Sequence, residues 1–376
     1  MKQNKLKVPK LMVVFLLIGL MAASCSQVSN KSKHNDTDTT TSLGEVYKQY
    51  FPVGVAVAPQ MLDDSTQRTM IIKQFKSVTP ENIMKPERIH PKLDSFSWKE
   101  PDRLVNFAMN NGLKIRGHVL VWHSQTPDWF FRDKNGDLLS KEALLKRMKN
   151  HIDSVVGRYK GRIYAWDVVN EAISDDPDGF YRQSLWYKIC GEDYIARAFQ
   201  YAHQADPNAV LFYNDYNTYL EPKRTHIYKM LKKLVDEGVP VTGVGMQAHW
   251  NIYEPSEKEI RTTIDTFASL NLAVQLTELD ISIFRAEPKS RDLLPGEDVM
   301  YTDSLKHLQV LQYKNIFDVC RDEKEKITGI TFWGLADNYT WLDNFPVHHR
   351  KNFPFLFDTL YKPKPSFWAV TKFKTE

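Results

Sequence analysis

The sequence predicts an α/β fold, a single-domain (β/α)8 TIM barrel, and two observations carry that prediction. From Phe51 onward, short β-branched runs alternate with longer stretches of helical periodicity, which is typical of parallel strands joined by helices. Eight such units over about 330 residues fit a barrel with enlarged loops. An open doubly wound sheet would carry a glycine-rich phosphate turn, and neither G-x-G-x-x-G nor G-x-x-x-x-G-K occurs. We therefore favour the closed barrel.

Each predicted strand is a short run that contains β-branched or other apolar residues, with helical periodicity following it. The longest amphipathic stretches between strands are residues 141–159, 194–205 and 225–237, where apolar side chains recur every three or four positions. In chain order, the eight predicted strands are residues 53–58 (VGVAVA), 77–80 (SVTP), 114–121 (KIRGHVLV), 163–169 (IYAWDVV), 210–214 (VLFYN), 243–248 (GVGMQA), 273–277 (AVQLT) and 327–333 (ITGITFW).

The first 24 residues have the pattern of a secretory signal peptide of the lipoprotein type. Lysines precede an apolar run, residues 11–21, that is short for a membrane span, and Ala22-Ala23-Ser24 stand directly before Cys25. We expect cleavage before Cys25 and a lipid on its thiol, so that the protein is exported and anchored in a bacterial cell envelope. The alternative is an ordinary cleaved signal followed by an incidental cysteine.

A polar segment separates this signal from the folded domain. Residues 26–42 are rich in Ser, Thr, Asn, Asp and Lys without apolar periodicity, so residues 25–42 are predicted to be a flexible tether and residues 43–376 the folded domain. Apart from Cys25, the chain has Cys190 and Cys320. These two could pair in an exported protein, and we favour buried, unpaired side chains.

The charge balance argues against nucleic acid as a partner. The formal charge is +4, with 50 basic against 46 acidic residues, and the lysines before Cys25 account for the whole excess. A nucleic-acid-binding protein normally keeps a basic surplus in its folded part. We expect no nucleic-acid partner, membrane contact only through the N-terminal lipid, and a monomer.

Polar and aromatic residues accumulate where seven of the eight predicted strands end. In a barrel these ends share one rim, where active sites are found. Any one of these residues has an ordinary structural explanation, such as a helix cap or a core aromatic. Ordinary explanations would have to apply independently at all seven strand ends, which is much less credible than a shared site. The rim residues are Glu81, Asn82, Lys85, His118, Trp122, His123, Ser124, Gln125, Asn170, Glu171, Asn214, Asp215, Tyr216, Asn217, Gln247, His249, Glu278, Asp280, Trp333 and Trp341.

Five of these segments together resemble glycoside hydrolase family 10, chiefly endo-β-1,4-xylanases on a (β/α)8 barrel. The segments are VTPENIMK (78–85), RGHVLVWHSQTP (116–127), WDVVNEA (166–172), GVGMQAH (243–249) and LTELD (276–280). They occur in the family's order, and the resemblance extends from about residue 43 to the C-terminus. It implies xylan or xylo-oligosaccharides as substrate, with no cofactor and no catalytic metal.

The resemblance implies a retaining mechanism with Glu171 as acid/base and Glu278 as nucleophile. Retention needs two carboxyl groups about 5–5.5 Å apart, whereas inversion needs a wider gap. A like charge on Glu278 would keep Glu171 protonated until it donates. By the same resemblance His249 and Asp280 form a hydrogen-bonded chain that keeps Glu278 ionised, and Asn170 supports the reacting sugar.

The same comparison assigns the substrate-binding residues to three places in the cleft. The next sugar on the non-reducing side would meet Glu81, Asn82 and Lys85. The first sugar on the leaving-group side would stack on Tyr216, with Asn214 close by. The reacting sugar would be surrounded by His118, Trp122, Gln125 and Gln247, and covered by Trp333 and Trp341, whose rigid indoles could exclude the hydroxymethyl group of a hexose.

Three other functions are compatible with parts of the sequence. His118, His123 and His249 could bind zinc, but no H-x-H or H-E-x-x-H pair occurs. The same fold could hydrolyse β-1,4-glucan or mixed-linkage glucan. A lipoprotein that binds glycans without cleaving them is also conceivable, although both glutamates and their polar neighbours are present.

Overall fold

The computed structural model describes residues 41–298 and 300–373. The predicted signal peptide, Cys25 and nearly all of the predicted tether therefore lie outside the described residues. The helices are α1 (Leu43–Val46), α2 (Ser65–Gln74), α3 (Pro86–Ile89), α4 (Lys99–Asn110), α5 (Lys141–Arg158), α6 (Leu185–Cys190), α7 (Asp193–Ala205), α8 (Lys223–Asp236), α9 (Glu257–Ala268), α10 (Asp303–Asp322) and α11 (Pro365–Thr371). The strands are β1 (Val53–Val57), β2 (Ser77–Pro80), β3 (Lys114–Gly117), β4 (Val121–Trp122), β5 (Ala165–Asn170), β6 (Val210–Asp215), β7 (Gly243–Met246), β8 (His249–Asn251), β9 (Ala273–Ser282), β10 (Arg291–Asp292), β11 (Ile327–Phe332) and β12 (Val347–His348).

Eight parallel strands close into a barrel, which confirms the predicted fold. Their order around the barrel is β1, β2, β3, β5, β6, β7, β9 and β11. The ring is closed by β11, which pairs with β9 on one side and with β1 on the other, where Val53 lies opposite Ile330. Long helices such as α5, α7 and α10 bury an apolar face, as expected for the outer layer of a barrel.

The predicted strands differ from the observed ones mainly at their carboxyl ends. The strand predicted at 114–121 is divided into β3 and β4, and the segment predicted at 243–248 ends at Met246 before β8 begins at His249. Both interruptions carry residues of the barrel mouth, among them His118 and Gln247. The strand predicted at 273–277 is too short, because β9 continues to Ser282 by pairing with β8 as well as β7.

A layer of charged side chains fills the barrel interior below the mouth. The Arg116 guanidinium pairs with Asp167 and donates to Gln275 Oε1 at 2.9 Å, and Asp167 Oδ2 lies 3.0 Å from His118 Nδ1. All four side chains are buried. Because a buried charge is costly unless paired, this network explains why polar residues occupy barrel strands, and it fixes the imidazole of His118.

Both cysteines in the described part of the chain are buried and unpaired, as predicted for Cys190 and Cys320. Burial raises the pKa of the Cys190 thiol to about 11 and that of Cys320 to about 12. The thiols therefore stay protonated at neutral pH. Among residues 41–298 and 300–373, none of the helices has the length and apolar character needed to cross a bilayer.

Candidate active site

The carboxyl ends of the barrel strands open into a cleft of about 1020 Å³. Asp280 and Asn214 lie behind its surface, and the other predicted site residues line it. Those lining residues are Glu81, Asn82, Lys85, His118, Trp122, Gln125, Asn170, Glu171, Tyr216, Gln247, His249, Glu278, Trp333 and Trp341. The structure thus brings residues from the ends of seven barrel strands, and from the loops after them, to one depression.

Glu171 directly follows β5 and is surrounded by neutral hydrogen-bond donors. Its Oε1 accepts from Asn170 Nδ2 at 3.0 Å and from Gln247 Nε2 at 2.9 Å, and its Oε2 accepts from Trp122 Nε1 at 2.9 Å. His123 Nδ1 lies 3.7 Å from Oε2. Burial lowers the pKa of His123 to about 4, so that imidazole is neutral at pH 7. Among the described residues, therefore, no cation contacts the carboxyl group of Glu171 directly.

The pKa of Glu171 is raised above its usual range. Burial is the largest cause, and the negative charge of Asp215 is the second. The charge of Glu278, the cause that the sequence analysis named, also raises the pKa of Glu171 but has a smaller effect. The hydrogen bonds from Gln247 and Trp122 act in the opposite direction but do not cancel the increase. These surroundings favour the protonated acid that a proton donor must be.

Glu278 lies within β9 and has a very different environment. Its Oε1 accepts from Asn214 Nδ2 at 2.7 Å, and its Oε2 lies 3.2 Å from His249 Nε2. Burial raises the pKa of Glu278, but the hydrogen bond from His249 and the nearby imidazoles of His118 and His249 outweigh it and lower the pKa to about 2. The side chain is therefore a carboxylate at neutral pH.

His249 connects the two acidic residues of the β9 strand. Its Nδ1 lies 2.9 Å from Asp280 Oδ2 and its Nε2 faces Glu278. Burial lowers the pKa of His249, but the charges of Asp280 and Glu278 raise it to about 10. Because a protonated imidazole donates from both nitrogens, His249 can bridge the two carboxylates. The predicted chain from Asp280 through His249 to Glu278 is thus present as geometry.

Two amide side chains link the two glutamates. Asn214 Nδ2, which donates to Glu278, also donates to Asn170 Oδ1 at 2.9 Å, and Asn170 in turn donates to Glu171. Gln247 Nε2 lies between Asn170 Oδ1, at 3.2 Å, and Glu171 Oε1. The carboxyl groups are therefore held at neighbouring positions of one rigid hydrogen-bonded network.

On the side of β2 the cleft wall is polar. Lys85 Nζ donates to Asn82 Oδ1 at 2.9 Å and to Gln125 Oε1 at 3.1 Å, and it lies 5.1 Å from the centre of the Trp122 ring. Glu81 Oε1 accepts from Asn82 Nδ2 at 3.1 Å. Donors and acceptors alternate along this wall, which suits the hydroxyl groups of a sugar.

Two tryptophans after β11 cover the centre of the cleft. Trp341 Nε1 donates to Asp280 Oδ2 at 2.8 Å, and its ring meets His249 edge-on at 4.8 Å. Trp333 is buried and packs edge-on against both His118 and His249. These contacts fix both indoles, since each ring is held by groups that also orient Glu278.

On the opposite side, Tyr216 belongs to a cluster of charged residues that the sequence analysis did not find. Its hydroxyl accepts from Arg182 at 2.8 Å and donates to Asp175, and Lys223 Nζ lies 3.6 Å from the ring centre. Asp175 and Lys223 line the cleft as well. These residues lie in loops without periodicity or at a helix start, so no strand-end signal marked them.

The structure corrects one substrate-binding prediction. Asn214 was expected beside the first leaving-side sugar, but its side chain is fully buried. Both of its amide functions are occupied: Oδ1 accepts from Thr277 Oγ1 at 2.6 Å, and Nδ2 binds Asn170 and Glu278. A strand residue that faces the barrel interior cannot reach a sugar in the cleft. Asn214 instead positions Glu278.

Two aromatic residues of the cleft were also missed. Tyr339 donates to Glu81 Oε1 at 3.0 Å, and Phe345 stacks on Trp341 with ring centres 5.5 Å apart. Both line the cleft and are about half exposed. The sequence signal that could have found Tyr339 and Phe345 is their position close to Trp341, in a segment that is rich in aromatic residues.

The candidate zinc ligands do not converge. Across the described residues, no group of three His, Cys, Asp or Glu side chains has an arrangement that could hold a metal ion. His118 is bound to Asp167 and His249 to Asp280 and Glu278, while His123 lies beside Glu171.

Comparison with known proteins agrees with this geometry. The sequence profile of glycosyl hydrolase family 10 matches residues 42–373. The chain belongs to this family. Among its relatives, endo-1,4-β-xylanase B of Paenibacillus barcinonensis is 50% identical over 329 residues, which is 88% of this chain and 97% of that protein. A β-1,4-xylanase of Dictyoglomus thermophilum is 44% identical over 96% of this chain and 98% of its own length.

Solved structures of family 10 enzymes have the same fold. A crystal structure of a P. barcinonensis xylanase in complex with a conduramine derivative has a TM-score of 0.85 and 49% identity, and covers 89% of this chain and 99% of that one. An endo-1,4-β-xylanase from Caldicellulosiruptor owensensis has a TM-score of 0.83 and 43% identity, with coverage of 88% and 99%. The protein is therefore a glycoside hydrolase on a family 10 barrel.

Proposed function

We propose that this family 10 enzyme cleaves internal β-1,4-xylosidic bonds of xylan and retains the anomeric configuration by double displacement. The observation that carries the proposal is the opposite protonation preference of two linked glutamates at one barrel mouth. Glu278 has its pKa lowered to about 2, and Glu171 has its pKa raised. A retaining glycosidase needs one ionised nucleophile and one protonated acid. The xylanase names of the relatives support xylan as substrate.

In the first step, the Glu278 carboxylate attacks the anomeric carbon while Glu171 gives its proton to the departing glycosidic oxygen. The C–O bond breaks, and the sugar becomes an ester of Glu278. Trp122, Asn170 and Gln247 hold the Glu171 carboxyl group in place for this transfer. His249 and Asn214 hold the Glu278 oxygens and keep them charged before attack.

In the second step, Glu171 acts as the base. Esterification removes the charge of Glu278, and Glu171 has lost its proton, so its carboxylate can take a proton from water. The water oxygen attacks the anomeric carbon, and the Glu278 ester bond breaks to return the carboxylate. Two inversions give net retention.

The substrate-binding roles rest on placement in the cleft and on the family resemblance. Glu81, Asn82 and Lys85 form a polar wall for the sugar on the non-reducing side. Tyr216, with its ring on the opposite side, provides a face for the leaving-side sugar. The reacting sugar would lie among His118, Trp122, Gln125 and Gln247, under Trp333 and Trp341.

Time-resolved NMR of xylohexaose hydrolysis tests the reaction directly. The purified enzyme should release internal fragments whose new reducing ends are first β and then mutarotate. Fragments that are first α would show inversion and would contradict the assigned nucleophile. A protein that binds xylan without shortening it would contradict hydrolysis altogether, and activity that survives prolonged chelation would argue against metal dependence.

Hydrolysis of β-1,4-glucan or mixed-linkage glucan is the closest alternative. The fixed indoles of Trp333 and Trp341 favour a pentose because they cover the position that the hexose hydroxymethyl group would occupy. We expect kcat/KM for aryl xylobioside to exceed that for aryl cellobioside by about 10-fold or more, the discrimination typical of one excluded group. Equal values would favour the glucan alternative.

We also propose that Cys25 carries a lipid and that the exported enzyme is held in the cell envelope. The support is the sequence pattern of residues 1–25 alone. Cys25→Ser should move the enzyme from the membrane fraction to the soluble fraction and abolish labelling by a fatty-acid probe. Cys190→Ser, at a buried thiol, is the matched control and should change neither. Membrane retention of the Cys25 variant would contradict the proposal.

A further inference from the structure

The backbone around Glu171 is held by a closed circuit of side chains behind the cleft. Glu171 has a φ of 58°, in the left-handed region that non-glycine residues adopt only when their surroundings enforce it. Its N–H donates to Asn214 O at 2.9 Å and its carbonyl oxygen accepts from Arg182 Nε at 2.9 Å. The next two N–H groups, of Ala172 and Ile173, also need acceptors.

Both N–H groups donate to a single acceptor, the hydroxyl oxygen of Tyr213. Ala172 N donates to it at 3.0 Å and Ile173 N at 3.2 Å, and the hydroxyl donates to Asp215 Oδ2 at 2.5 Å. A tyrosine hydroxyl has one hydrogen to donate, so accepting two N–H groups while donating its own satisfies it fully. Tyr213 and Asp215 are both completely buried. The turn after Glu171 is therefore fixed by the hydroxyl group of Tyr213.

The circuit continues from Asp215 to the cleft surface. Asp215 Oδ1 lies 2.9 Å from Lys223 Nζ, which lies 2.8 Å from Asp175 Oδ1. Asp175 Oδ2 accepts from Arg182 at 2.7 Å, and Arg182 returns to the carbonyl of Glu171. We name this closed set the Glu171 ring: the Glu171–Ile173 backbone, Tyr213, Asp215, Lys223, Asp175 and Arg182.

We propose that Tyr213, Asp215 and Lys223 are positioning residues, which hold the Glu171 carboxyl group in the orientation and protonation state that proton transfer requires. The inference rests on the proposed acid/base role of Glu171. Orientation follows from the hydroxyl clamp on residues 172 and 173. The protonation state follows from the position of Asp215. This buried acid is paired with Lys223 and lies behind Glu171, whose carboxyl group must stay neutral until it donates its proton.

The charges that face Glu171 from the surrounding elements support this assignment. Asp215 raises the pKa of Glu171 more than Glu278 does. The titratable and charged groups around Glu171 are Lys85 after β2, His123 after β4, Asp175 and Arg182 in the loop after β5, Asp215 on β6, Tyr216 after β6, Lys223 on α8 and Glu278 on β9. Of the two acidic side chains that raise this pKa, Asp215 takes no part in the ester. Burial raises the pKa of Asp215 itself, while the charge of Lys223 and the hydrogen bond from Tyr213 act in the opposite direction.

The test compares Tyr213→Phe and Asp215→Asn with Tyr47→Phe. Tyr47 is an equally buried, hydrogen-bonded tyrosine that contacts Phe51, Phe317 and Phe373, none of which lines the cleft. All variants should lower Tm. Tyr213→Phe should lower kcat/KM for phenyl xylobioside by about 10-fold, with little loss for 2,4-dinitrophenyl xylobioside, whose leaving group needs no proton, and Tyr47→Phe should lower neither. Azide should restore part of the turnover of Tyr213→Phe by replacing the base-activated water.

Asp215→Asn should shift the pH profile. Glu171 must be protonated for the first step, so kcat/KM falls as pH rises through its pKa. Removing the anion lowers that pKa, so the alkaline limb should move to lower pH for phenyl xylobioside. If Tyr213→Phe does not fold, Asp215→Asn and Lys223→Met carry the test.

Two results would overturn the inference. One is folded variants whose dependence on leaving group matches that of Tyr47→Phe, and the other is an alkaline limb that does not move in Asp215→Asn. Failure of the proposed function would look different, because the unmodified enzyme would then cleave neither aryl xylobioside.

Discussion

Glu171 and Glu278 are the same side chain at one cleft, yet the protein gives them opposite protonation preferences. Glu171 is surrounded by an indole and two amides, with Asp215 behind it, and its pKa is raised. Glu278 is bound by Asn214 and by a protonated His249, and its pKa falls to about 2. Both are buried, so burial does not separate them. The difference lies in the charge of the neighbours.

The contacts of the two carboxyl groups are thus enough to tell the acid from the nucleophile. A cation beside one carboxyl group and an anion behind the other are enough to separate their pKa values. Substitution of the neighbouring residues can therefore change either pKa while the glutamate itself is kept.

The largest expected effect follows removal of the nucleophile. Glu278→Ala should lower kcat by about 10⁴-fold or more for every aryl xylobioside, because no leaving group can compensate for a missing nucleophile. Glu257→Ala, on the surface of α9, should be unaffected. Substantial residual turnover of dinitrophenyl substrates in Glu278→Ala would mean that the two glutamates are assigned the wrong way round.

Glu171→Ala should separate substrates by leaving group. Turnover of xylan and phenyl xylobioside should fall about 10²- to 10⁴-fold, the contribution of general acid catalysis. The first step with dinitrophenyl xylobioside should proceed nearly unchanged and appear as a burst, since only the second step still needs a base. Stopped-flow absorbance measures both phases. Equal losses for all leaving groups would count against the acid/base role.

His249→Asn should shift the acid limb of the pH profile and lower the rate by about 10- to 100-fold, the value of one or two charge-assisted hydrogen bonds. Glu278 must be ionised, so kcat/KM falls as pH falls through its pKa. Without His249 that pKa rises, and the acid limb should move to higher pH. Dinitrophenyl xylobioside isolates this effect from Glu171, and the exposed His307→Asn is the control. An unmoved limb would show that His249 does not set the charge of Glu278.

The smallest expected effect concerns the indole that covers the nucleophile side. Trp341→Phe keeps the aromatic face but removes the donor to Asp280, and one such hydrogen bond is worth about 1.5 kcal/mol, or roughly tenfold in kcat/KM. Trp368→Phe on α11 should have no effect on catalysis. A loss with unchanged pH profile would place the role of Trp341 in sugar packing alone.

Much of the difference between the surroundings of Glu171 and Glu278 could be predicted from the sequence, because a barrel brings the ends of its strands together. Eight βα units and polar strand ends predicted the barrel and its mouth, since all parallel strands end at one rim. The resemblance to family 10 then assigned His249, Asp280 and Asn170. The environment of Glu278 could be predicted with little further information, because His249 and Asp280 are themselves rim residues on neighbouring strands.

The surroundings of Glu171 were harder to predict. Tyr213 and Asn214 lie in a strand buried on both faces, so its sequence does not show which side chain faces the barrel interior. Asn214 was therefore expected in the cleft, and Tyr213 was not considered. Arg182 and Asp175 lie in an irregular loop, where no periodicity links sequence position to location.

Closure of the barrel has a consequence for how activity should be used as a measurement. The last barrel strand, β11, pairs with the first, β1, and the two glutamates lie directly after β5 and within β9. No contiguous fragment shorter than nearly the whole domain can hold both carboxyl groups within a closed ring. Hydrolytic activity therefore reports the fraction of fully folded molecules. During denaturation the loss of activity should coincide with global unfolding, and partially folded chains should have no activity.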